Sequence, residues 1–161
     1  MAGRFLSQRD INTFEKFNRE LLGDLDASKD GIVNQKVTVY KISVQDTKVN
    51  MYGESSAGKI YKPGIQIACL IEADDVDFNT DEFGPDYRQS GIFRFLRQSL
   101  IDISLVVELG DIVDWNYAHW EIASIGENQL IGGQFDQNWA VICSAHLIRK
   151  SALNIEQIRS I

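Results

Sequence analysis

Gly53-Glu-Ser-Ser-Ala-Gly58-Lys59 has the glycine and lysine spacing of a phosphate-binding loop, in which backbone N–H groups cradle phosphates and the lysine meets the terminal oxygens. Ile60 stands where a Ser or Thr hydroxyl would hold magnesium. The next residues, Tyr61-Lys62-Pro63-Gly64, cannot readily open the helix whose N-terminus completes such an anion site. Asp75, Asp77, Asn79 and Asp81 occupy the first, third, fifth and seventh positions of an EF-hand-like loop, with Asp86 at the twelfth. Thr80 replaces the glycine of the sharp turn, Asp86 is shorter than a bidentate Glu, and no helix enters from Ile71–Ala73; a solvated acidic loop is the expectation. His119, His146, Cys143, Asp111 and Asp114 complete the candidates for metal or acid–base chemistry, but their spacing matches no ligand motif and suggests no nucleophile, base and orienting partner. No catalytic, cofactor-binding or metal-binding residue is therefore assigned, and the chain is not expected to be an enzyme.

The stretch with the clearest local structure runs from Gly110 to Gln129. Gly110 can take a positive φ, and the Asp111 side chain can accept backbone N–H groups, so the pair is expected to form a barrel turn that redirects the chain. A strand should follow, with Ile112, Asp114 and Asn116 on one side and Val113, Trp115 and Tyr117 on the other. After a tight turn near Asn116–Ala118 the alternation resumes through Trp120, Ile122 and Ser124, giving two half-buried strands.

The elements around this hairpin follow from changes of hydrophobic period. Ser7 and Asp10 resemble a capping box, and Ile11, Phe14, Asn18, Leu21, Leu22 and Leu25 recur at helical spacing, predicting an amphipathic helix over 8–26. The β-rich run within 36–46 predicts a strand, and 60–73 a strand interrupted by Pro63-Gly64. Loops are expected at 47–59 and 74–86. A strand over 92–97, a helical turn over 98–103, and strands at 129–131 and 139–145 about a Gly132-Gly133 turn complete the chain; 146–161 reads as an arm or short helix. The expected fold is mainly β: a small antiparallel β-barrel with an N-terminal α-helix and extended loops or a terminal arm. It forms a single domain over 1–161, with a helical segment at 1–30, the barrel at 35–145 and the arm at 146–161.

Composition limits the partners. With 161 residues, 44% hydrophobic and 10% aromatic, the chain can bury one core, and no apolar run approaches the roughly 20 residues that span a bilayer. No membrane partner is expected. Met1-Ala-Gly-Arg-Phe-Leu-Ser lacks the apolar core of a signal peptide, and Cys69 and Cys143 sit in apolar runs, so reduced, buried thiols in an intracellular chain are the expectation. A net charge of −7 argues against gripping nucleic acid, which requires Lys and Arg to neutralise phosphates, but it suits a wall past which DNA slides.

Several blocks, in order, resemble the neck or head-completion (head–tail connector) proteins of contractile-tailed bacteriophages, especially the cyanophage-like myovirus group. They are Met51–Ser55 through Gly58-Lys59-Ile60-Tyr61 to Ile65–Glu72; Phe93–Arg97 with Leu100, leading into Gly110-Asp111; Trp120-Glu121-Ile122 with Glu127–Gln129; and Trp139–Ser144 with His146, Leu147 and Arg149. Together they cover about 36–155. The resemblance implies a non-enzymatic virion protein, present in the host cytoplasm during assembly. It implies a homo-oligomeric ring, a hexamer, beneath the portal and adaptor, which closes the filled head and presents a platform to tail terminator or tail proteins. Double-stranded DNA would pass through the channel without specific binding. In this light Tyr52, Gly53, Glu54, Lys59 and Tyr61 form a structural loop at a subunit or partner interface. A neighbouring role as head–tail adaptor or tail terminator ring stays open. So does a small β-barrel ligand-binding module in which Trp115, Trp120 and Trp139 line a pocket.

Overall fold

The computed structural model describes residues 7–23, 31–43, 47, 59–81, 84–127 and 138–148. It opens with helix α1 (Gln8–Leu22), which the Ser7 hydroxyl caps by accepting the Asp10 N–H at 3.3 Å. The helix stops four residues short of the expected 26. Gly23 turns into the left-handed region at φ 73°, and its N–H closes on the Arg19 and Glu20 carbonyls, ending the helix although Leu25 would have continued its apolar stripe. Ile11 and Leu22 are the buried helical positions.

Nine strands follow among the described residues: β1 (Lys36–Tyr40), β2 (Ile65–Ala68), β3 (Leu70–Ala73), β4 (Asp77–Asp81), β5 (Gly84–Arg88), β6 (Ser90–Leu96), β7 (Ile112–Trp115), β8 (Ala118–Glu127) and β9 (Ala140–Ile148). A short helix, α2 (Arg97–Asp102), lies between β6 and β7. All ladders among the described residues are antiparallel. Seven strands form one sheet in the order β2-β1-β7-β8-β9-β6-β3, while β4 and β5 form a separate ribbon.

The two ends of the seven-stranded order, β2 and β3, are consecutive in the chain with Cys69 alone between them. The sheet is therefore bent round until its ends meet at one residue. Yet no ladder joins them: β2 pairs with β1, and β3 pairs with β6. The mainly β fold with an N-terminal helix is as expected from the sequence, but the sheet is not closed, and the closed barrel is not what the ladders describe. The seam is where β6 stops at Leu96 and the chain turns into α2, which leaves no strand of this sheet on the second side of β2.

Alternation places Val37 and Val39 of β1, Phe93 and Phe95 of β6, Trp120 and Ile122 of β8, and Cys143 and Ala145 of β9 in one core, joined by Leu100, Leu105 and Val107. Phe93 lies edge-on to Trp120 at 5.8 Å and to Trp115 at 6.5 Å, and the two tryptophans are 6.2 Å apart. Cys69 and Cys143 are buried and free, and burial pushes both thiols well above their ordinary range, Cys143 to about 12.

Three local expectations are corrected. Tyr117 leaves the face it was expected to share with Val113 and Trp115 because it and Asn116 form the β7–β8 turn, at φ 62° and 52°, and it is 91% exposed. Ser124 loses its place in the alternation because a bulge between Ile122 and Ser124 shifts the β8–β9 register. The acidic stretch 74–86 is largely a ribbon rather than a loop: Asp77 to Asp81 pair with Arg88 to Gly84. Asp77, Asn79 and Asp81 thus stand at every second position of an extended backbone and not in the curled loop of an EF-hand. The expected strand at 129–131, the Gly132-Gly133 turn and positions 149–161 lie outside the described residues.

Candidate interaction site at the Gly110-Asp111 corner

Gly110 takes φ 84°, a left-handed conformation that favours glycine, and a Cβ there would press on the tip of Ile42 at 3.1 Å. Its N–H donates to the Ile122 carbonyl, and the Ile122 N–H donates back to the Asp111 carbonyl, which carries β7–β8 pairing into the turn. The Asp111 side chain is 1% exposed. Its Oδ2 accepts the Glu108 N–H at 2.8 Å and its Oδ1 accepts the Ile42 N–H at 3.2 Å, so one carboxylate ties the segment before β7 to the end of β1. Burial raises the pKa of Asp111, while the two backbone donors and Lys41, whose Nζ is 3.7 Å away, oppose the shift.

Lys59 and Tyr61 meet the same corner. The isolated bridge between Ile42 and Tyr61 brings their segment alongside the end of β1. Lys59 Nζ is 2.7 Å from Glu121 Oε1 on β8, and His146 Nε2 on the adjacent β9 is 4.0 Å from the other oxygen. The Tyr61 phenol is pushed up to about 12, by burial first and then by the negative charges of Glu121 and Asp111. Lys41 bonds Glu108 at 2.9 Å and also the Val106 carbonyl, and it holds the Glu108 carboxyl below its ordinary range.

Four residues singled out in the sequence, Lys59, Tyr61, Gly110 and Asp111, are thereby brought together; Tyr52, Gly53 and Glu54 lie outside the described residues. Lys41, Glu108 and the bridging role of Glu121 were not legible, because each pairing spans more than 60 positions. Chemically, the cluster is a set of mutually satisfied cations and carboxylates around a buried Asp. It fixes the geometry of the corner where the chain enters β7.

The three tryptophans do not share a pocket. Trp115 and Trp120 belong to the core, whereas Trp139 stands edge-on to Phe14 of α1 at 6.3 Å. Trp139 lines a cavity of about 350 Å³ with Ile11, Arg19, Leu96, Arg97 and Ile101, between α1 and α2. Arg19 there pairs with Asp102 and lies 3.6 Å from Glu15, and Arg97 pairs with Glu127 at 3.3 Å. Among the described residues, no group of three or more His, Cys, Asp or Glu is placed to hold a metal ion.

Large apolar side chains remain on the outside. Phe14, Phe17 and Leu21, spaced three and four apart on one face of α1, are 53%, 60% and 39% exposed. Ile101, Val106 and Leu109 on and after α2 are 57%, 68% and 63% exposed. No helix among the described residues is long and apolar enough to cross a membrane. The chain matches no protein-family model and no curated protein.

Proposed function

We propose that this chain is a structural protein of the bacteriophage neck: a ring that closes the DNA-filled head and joins it to the tail. The observation that carries this reading is the exposed apolar face of α1. A chain with a filled core and Phe14, Phe17 and Leu21 still facing outward has surface suited to contact with other proteins. The resemblance over 36–155 supplies the kind of assembly, with portal or adaptor proteins on one side and tail proteins on the other. The curled sheet, pinned at the Asp111 corner, is the rigid body such a ring needs. Its copies meet through heterologous contacts, which close when the rotation between subunits divides a circle. The net charge of −7 keeps the channel wall from holding the duplex.

Electron microscopy of the purified protein with portal and adaptor complexes tests this directly. The expected result is a ring docked on the portal; a chain that never joins the complex would refute the proposal. Phe17→Glu should lower this docking at least tenfold. Because Phe17 is mostly exposed, the same change should alter the monomer's own stability by no more than about 0.5 kcal/mol, measured by urea unfolding.

A further inference from the structure

We draw no further inference here: the strongest candidate, the exposed edge of β8 over 123–127, which runs past the Ile112–Glu121 pair where β7 ends and is laddered to β9 alone among the described residues, carries nothing because nothing in the structure shows what covers it.

Discussion

Asp111 shows how one side chain sets the local geometry. It holds the backbone N–H groups of Ile42 and Glu108, from segments distant in the chain, while Lys41 offsets part of its charge. Asp111→Asn keeps the shape but turns one oxygen into an N–H donor facing a backbone donor. The expected loss is about 2–3 kcal/mol in urea unfolding, the cost of breaking a buried charge-assisted bond. Exposed carboxylates carry the acid dependence. Glu72, Asp102 and Glu108 are held below the ordinary carboxylate range by bonds from Arg94, Arg19 and Lys41, respectively. For a lowered pKa, stability is present above the unfolded value of about 4 and is lost as pH falls through the folded value. Asp111, with a raised pKa, has the opposite sign: its ionisation between the unfolded and folded values works against folding. Arg94→Gln should therefore flatten the fall of the urea midpoint between about pH 5 and 3, leaving a residual slope from Asp102 and Glu108. An unchanged slope would mean that the Glu72 pair does not contribute.

At the scale of elements, what was legible in the sequence was local. The Ser7 cap, the start of β1, the Gly110 corner and the pairing of β7 with β8 each follow from residues a few positions apart and form as read, whereas the alternation of the hairpin fails at Tyr117 and Ser124. The ribbon was missed because Asp and Asn are poor strand formers, so its composition reads as a loop; the ladder imposes the strand instead. The Lys59–Glu121 pair needed the strand order, which no local pattern carries. The β7–β8 turn gives a prediction of its own. Tyr117 holds a left-handed conformation that glycine adopts freely and is itself 91% exposed, so little packing is lost on removing its side chain. Tyr117→Gly should raise stability by up to about 1 kcal/mol in thermal unfolding. A lower melting temperature would show that the ring makes a contact that outweighs its backbone strain.

For the molecule as a whole, one core supports a sheet bent until its ends meet at Cys69. Phe93 stands at the centre of that core against Trp115 and Trp120, and Phe93→Ala should cost about 3–5 kcal/mol by urea denaturation. The resulting body has an exposed apolar helix face, a sheet left unclosed beside β2 and an acidic ribbon outside the main sheet. Those features give the ring account its physical basis. Native mass spectrometry of the chain, alone and mixed with portal and adaptor proteins, tests it most directly. The account predicts a closed homo-oligomer, with six copies as the expected number, in at least one of these conditions. A monomer in both would contradict it.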